Sequence, residues 1–216
     1  MMNVPGAPDW SKGAIVAVDP DNPLASIIVF QYNPLNVRRD LEPKTSGGGA
    51  RTEVLRLEGA PEETIQMQVE IDAADQLETG DPDARLMGIY PQLSALEMLL
   101  YPKSGRVIEN ANKLQQGEME IVPPEAPPTF LVWGRRRVVP VRLTSFGITE
   151  QMYDSSLNPI RAEVSLGLRV LSYNDLMPDH SSYGLFMAHQ VMKEDMAVRG
   201  SVRNIAGMPG GIPGLS

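Results

Sequence analysis

The chain has 216 residues, 42% of them hydrophobic and 21% charged, with 19 basic and 27 acidic side chains, no cysteine and two histidines. That length suits one domain, or one domain with an extension, and the apolar fraction is ample for a core. The lack of cysteine excludes a disulfide framework, a thiol nucleophile and a zinc ribbon, and His180 and His189 alone cannot build a three-histidine metal site.

The charge is unevenly spread. Residues 1–128 hold 10 basic against 20 acidic side chains, and residues 129–216 hold 9 against 7. A negative front half makes a poor general nucleic-acid binder, since phosphate neutralisation needs a basic surface. Either acidic loops simply concentrate near the start, or two faces of unlike sign help subunits stack in one orientation. No stretch approaches the roughly 18 apolar residues of a membrane span. The opening MMNVPGAPDWSKG has neither a basic nor an apolar region of a secretory signal. Synthesis and retention in the cytosol, or exit by a route this segment does not encode, is the expectation.

In chain order, residues 1–13 read as a flexible arm. Ala14–Val18 and Ser26–Tyr32 read as two strands of a hairpin, joined by the turn-rich Asp19–Pro23 and stopped by Asn33 and Pro34. Residues 35–63 read as broken and charged, with a glycine tip at Ser46–Ala50 and a short strand at Glu53–Leu57. Thr64–Asp72 alternates with period two: Ile65, Met67, Val69 and Ile71 face one side, and Thr64, Gln66, Gln68 and Glu70 the other. An acidic linker, Ala73–Arg85, then leads to a helix over Leu86–Tyr101. Its stripe is Ile89, Leu93, Leu96 and Leu100, and Pro91 places its regular start near Tyr90.

Residues 103–127 read as irregular, closing on the stiff proline-rich Val122–Pro128. Thr129–Trp133 reads as a strand. Arg136–Tyr153 and Arg161–Leu171 read as a long antiparallel hairpin around the turn Asp154–Pro159. Strict alternation puts Val139, Val141 and Leu143 on one face and Arg142, Thr144 and Phe146 on the other. In the return strand Ala162, Val164, Leu166, Leu168 and Val170 point inward. Ser181–Arg199 reads as a helix capped by Ser181 or Ser182, with Leu185, Ala188, Met192 and Met196 as its apolar stripe and Gly200 as its stop. The Gly/Pro-rich tail Gly207–Ser216 reads as disordered until a partner orders it. The fold class is therefore α+β, dominated by antiparallel β-structure, with residues 14–174 as the domain and 175–216 as an extension.

No catalytic constellation emerges. Ser46-Gly47-Gly48-Gly49 lacks the lysine and hydroxyl of a phosphate loop, and the acids Asp72, Asp75, Glu78, Asp81 and Asp83 lack calcium-loop spacing. His189 lies on a helix with no nucleophile elbow nearby, so a packed histidine is preferred to a general base. Arg135, Arg136 and Arg137 form the one basic cluster, read as a strand entrance that pairs with acids of a neighbouring subunit, or else as a solvated face. Trp133 reads as a core or interface anchor. No cofactor or metal is implied. Long strands, stiff connectors and loose ends fit an assembly part whose edges are covered by other chains.

Three phrases carry a family resemblance: Phe30–Pro34 (FQYNP), Pro127–Gly134 (PPTFLVWG) and Val141–Val164 (VRLTSFGITEQMYDSSLNPIRAEV). Together they resemble the tube-type proteins of contractile injection systems, the phage-tail-like particles. Within that family the match is to the tube-domain baseplate adaptor whose longer members end in a LysM module. The resemblance spans about Val16–Asn174 and implies a tube-like set of antiparallel sheets or a barrel with one packed helix. It also implies a homo-oligomeric ring, sixfold as is typical of the family, at the baseplate, touching inner tube, spike or hub, and wedge proteins. Phe30, Tyr32, Asn33 and Pro34 would shape the first strand and turn, Trp133 and Gly134 would close the strand before the hairpin, and Tyr153, Asn158, Pro159 and Arg161 would fix its tip and return strand. Only 42 residues follow Asn174, with a Met-rich helix where the LysM module would be; Met192 and Met196 suit an adaptable partner surface. The implied product is a non-enzymatic structural subunit, cytoplasmic when made and then part of a particle that is released or membrane-associated. A peptidoglycan- or carbohydrate-binding envelope module is the alternative, and a hydrolase with an unrecognised site a third reading.

Overall fold

The computed structural model describes residues 12–18, 27–45, 56–117 and 127–206. The arm before Lys12, the turn Asp19–Pro23, the glycine tip Ser46–Ala50, most of Glu53–Leu57, the bulk of the proline connector and the tail from Gly207 lie outside the described residues. Among the described residues seven strands form one antiparallel sheet in the order β2-β1-β5-β6-β7-β4-β3. They are β1 (Gly13–Ala17), β2 (Ile27–Val29), β3 (Val37–Glu42), β4 (Glu62–Asp72), β5 (Thr129–Trp133), β6 (Val138–Tyr153) and β7 (Pro159–Val170). Among the described residues five helices accompany them: α1 (Ala74–Thr79), α2 (Pro82–Met87), α3 (Tyr90–Glu97), α4 (Ser104–Gln115) and α5 (Ser181–Ala206). The class is α+β with β-structure dominant, as the alternating segments require.

The period-two reading holds best where both faces have unlike chemistry. Ile65, Met67, Val69 and Ile71 of β4 are buried, and so are Ala162, Val164, Leu166, Leu168 and Val170 of β7. The two strands pair with Ile65 opposite Leu168 and Val69 opposite Val164, so the buried rows coincide. Each such aliphatic side chain contributes on the order of 1.5–3 kcal/mol by leaving water. Ile15, Phe30, Leu131, Val139 and Val141 extend the same core across β1, β5 and β6, and Ile89, Leu93 and Leu96 close it from the α3 side. Pro91 sits in the first turn of α3, where its missing N–H costs nothing. Leu100 falls beyond the helix end at Glu97 and is exposed.

Several segments depart from the sequence expectation. The strand expected over Ser26–Tyr32 is cut to Ile27–Val29 among the described residues, and the broken stretch contains β3, paired along its length with β4. The acidic linker folds as α1 and α2: Asp81 caps α2 by accepting from the backbone N–H groups of Asp83 and Ala84 at 2.9 and 3.0 Å. The segment expected to be irregular after Lys103 is helix α4, none of whose residues is buried. Phe146 lies on the Leu143 face, not opposite it. The β6–β7 register slips between Leu143 and Ser145, so one extra residue enters β6 and the alternation changes phase. Leu143, Phe146 and Ile148 consequently all pack against the core. Gly167 faces this slip. A Cβ there would run into Ser145 Oγ, so glycine lets the two backbones stay paired through the irregularity.

Helix α5 is capped by His180, whose Nδ1 accepts from the Ser182 N–H at 3.1 Å, and it continues through Gly200 to Ala206. Its buried face is Ser182, Phe186 and His189, one position out of phase with the expected stripe. Leu185, Ala188 and Met196 are exposed and Met192 is half-buried. Phe186, 5% exposed, enters the main core and meets Tyr173 edge-on at 5.9 Å.

Candidate functional site

The surface features with most capacity for interaction lie along the long hairpin. Strand β6 has sixteen residues, spanning roughly 50 Å at about 3.3 Å each. On one side it pairs with β7 along most of that length, but on the other β5 pairs only with Val138–Val141. Prolines 127 and 128 directly precede β5 and carry no N–H, so the β5 ladder has no donor with which to continue. Among the described residues, β6 from Arg142 to Tyr153 therefore has an open edge. A shallow groove of mixed polarity beside it is lined by Glu97, Leu100, Tyr101, Phe146 and Ile148.

The tip of this hairpin is fixed from below. The Asn158 side chain donates to the Leu86 carbonyl at 3.1 Å and to Asp154 Oδ2 at 2.8 Å, and the Ile89 N–H donates to the Pro159 carbonyl at 2.9 Å. Hydrogen bonds from the Asn158 side chain and from the backbone of Asn158 and Ser156 hold the Asp154 carboxyl below its ordinary range. Pro159 is buried, and Arg161 pairs with Glu70 across the strands. Tyr153 is exposed, its hydroxyl 3.4 Å from Glu150 Oε2. Leu86, Tyr90, Met152 and Leu157 are exposed around the same end. Met152 and Leu157 also have φ of 55° and 65°, a left-handed conformation that non-glycine residues enter at a cost of about 1–2 kcal/mol. Sequence that keeps a strained, 73%-exposed leucine at a tip is not optimised for the isolated chain. Leu157→Gly is expected to raise unfolding stability by about 1 kcal/mol while weakening any assembly that uses the tip. Urea denaturation and sedimentation of the two proteins check both halves.

The other sequence-singled residues are scattered. Phe30 is buried against Trp133 at 6.4 Å, and Gly13 lies so close to both rings that a Cβ would collide. Asn33 Oδ1 accepts from the Gly13 N–H at 2.8 Å, while Tyr32 is exposed and Pro34 half-buried. Gly134, with φ 66°, turns β5 into β6, and the turn carries Arg135 and Arg136 exposed and Arg137 half-buried. Among the described residues two apolar helix faces are exposed: Val107, Ile108 and Leu114 on α4, and Val191 and Val198 on α5. Ile27 and Val29 of edge strand β2 are exposed as well.

One polar cluster escaped the sequence reading. Glu63, 7% exposed, shares the inward phase of Ile65. Arg39 of β3 donates to Glu63 Oε1 at 2.7 Å, and Lys193 of α5 lies 3.4 Å from Oε2. Arg137 is close enough to feel both Arg39 and Glu63; burial first, then Arg39, lower its guanidinium from the ordinary value. His189, 6% exposed, lies beside the Arg136 backbone and leaves Nδ1 without a hydrogen-bond partner. The signal was present as an acid in an inward phase and as Lys193 one turn beyond His189. Neither shallow concavity, the groove above or one around Met98, Lys103 and Arg106, holds a histidine. Among the described residues no group of three His, Cys, Asp or Glu side chains could hold a metal, and no helix is long and apolar enough to cross a membrane.

No family model matches the chain, and no curated protein matches it. Among solved structures, a chain of the "Virion of native gene transfer agent (GTA) particle" is similar at 11% identity and a TM-score of 0.30, over 73% of this chain and 90% of that one.

Proposed function

We propose that this chain is a non-enzymatic structural subunit of a phage-tail-like contractile particle, forming a ring at the baseplate that joins inner tube, spike and wedge proteins. The observation that carries the reading is that, among the described residues, β6 has an open edge over Arg142–Tyr153 with apolar Phe146 and Ile148 beside it. Unpaired N–H and C=O groups on a long edge are a template for strand addition, and monomeric proteins ordinarily block such an edge. The uncovered faces of α4 and α5, and the strained tip at Met152 and Leu157, supply further contact area on an acidic chain with a basic turn at Arg135–Arg137. The ordered phrases around Phe30, Trp133 and the long hairpin give the resemblance that selects this particle type. Sixfold order and the individual partners follow from that resemblance alone.

The test uses an inward-pointing lysine, the device by which natural edge strands refuse pairing. Ile148→Lys is expected to keep the circular dichroism and hydrogen-exchange protection of β4 and β7 while abolishing ring formation and co-sedimentation with tube and sheath proteins. A variant that folds and still assembles like the parent would remove the β6 edge from the interface. An envelope-binding module would instead be pulled down by cell-wall sacculi irrespective of this substitution.

A further inference from the structure

We propose that His189, with the charges gathered around Glu63, forms an acid-released latch that holds α5 against the sheet. The helix is fastened at successive turns of one face: Phe186 in the core, His189 against the β5–β6 turn, and Lys193 on Glu63. Three elements meet that face with charge. Arg39 comes from β3, Glu63 from β4 and Arg137 from the β5–β6 turn, and α5 itself adds Lys193. Three cations thus surround one carboxylate, and the imidazole beside them is buried, 6% exposed, with Nδ1 left without a hydrogen-bond partner.

A proton on His189 would add a fourth positive charge to a group that has one acid. Burial first, then Lys193 and Arg137, press the imidazole below its ordinary value, and only the Arg136 backbone and Glu63 oppose them. The sign follows from linkage. Released α5 exposes His189 with an ordinary value near 6.5, so the released form takes up protons more readily than the docked form. Docking is at full strength above about pH 6.5 and weakens as pH falls below it, until the docked imidazole is itself protonated. Each unit of depression is worth about tenfold in the docking equilibrium. Release would bare Phe186 and free the docked face of a 26-residue helix for another chain.

The experiment is amide hydrogen exchange on the full chain, corrected for intrinsic rates, comparing α5 with β7 at pH 8 and pH 5.5. Protection in α5 is expected to fall by roughly threefold or more relative to β7. His189→Gln keeps a polar side chain with an N–H at this position but takes no proton, and its α5 protection is expected to ignore pH. Parallel loss in α5 and β7, or a wild-type pH response in His189→Gln, would overturn the latch. If that variant fails to fold, the NMR titration of His189 in the unaltered protein decides. Its midpoint should lie below that of a free histidine and rise in Arg137→Gln; a midpoint at or above the free value refutes the proposal.

Discussion

Replacing Gly88 with alanine is expected to destabilise the protein by about 3 kcal/mol or more, visible as a fall in Tm of roughly 10 °C for a chain of this length. Gly88 ends α2 with φ 59° and ψ −130°, a combination open in practice to glycine only. Its N–H donates to the Ala84 carbonyl at 2.9 Å, and a Cβ at this position would collide with the Pro159 carbonyl oxygen. That oxygen already accepts from the Ile89 N–H, and its neighbour Asn158 bonds Leu86. The alanine methyl therefore cannot be relieved by turning a side chain; it must push the α2–α3 corner off the hairpin tip. Gly105→Ala in exposed α4 is the matched control. Nothing lies within 4 Å of its Cβ position, and removal of glycine from a helix is expected to stabilise by about 0.5–1 kcal/mol. Calorimetry of the two variants separates a positional requirement for glycine from a general effect of added methyl groups.

The second large effect is expected at Glu63. Glu63→Ala removes the single carboxylate among Arg39, Arg137 and Lys193 and leaves the cations facing one another. Breaking a fully buried pair costs about 3–5 kcal/mol, and because Arg39 and Lys193 are each about a third exposed the expected loss here is about 2–3 kcal/mol. Lys193→Met is expected to cost less than about 1 kcal/mol, since Arg39 still satisfies the carboxylate and the methionine keeps the apolar stem. Urea midpoints of both variants measure the asymmetry. Equal losses would mean that the lysine, and not the arginine, is the main counterion of Glu63.

The parts of the fold that were legible in sequence are those where local pattern and tertiary burial agree. β4 and β7 alternate without interruption because one row meets the core and the other water. Phe146 was misplaced because the slip between Leu143 and Ser145 is set by pairing with β7, across Gly167, and leaves no mark on the spacing of β6 itself. β3, with the sequence VRRDLE, carries almost no apolar period; it is a strand because β4 offers it an edge. α4 escapes the sequence pattern because a glycine stands near its start and, among the described residues, nothing buries its apolar side chains. In α5 the expected stripe of leucine and methionine loses to Phe186, His189 and Lys193, whose partners come from three distant strands and turns. Period alone cannot choose between two candidate faces of one helix; the partner on the sheet chooses.

At the candidate interaction surface, sequence located the hairpin and its turn residues, and Asn158, Pro159 and Arg161 each make defined contacts at or near the tip. What sequence could not show is that β5 pairs with β6 at four positions and, among the described residues, leaves the rest of that β6 edge open. That edge is a property of register, and register is settled by the whole sheet.

The most direct measurement is the mass of the purified full chain in solution, by sedimentation velocity across a range of concentrations, alone and with tube and spike proteins. Closed multi-subunit rings, or complexes that incorporate this chain, are expected, with Ile148→Lys left as the single subunit. A wild-type chain that stays monomeric at every concentration and joins neither partner would contradict the ring proposal.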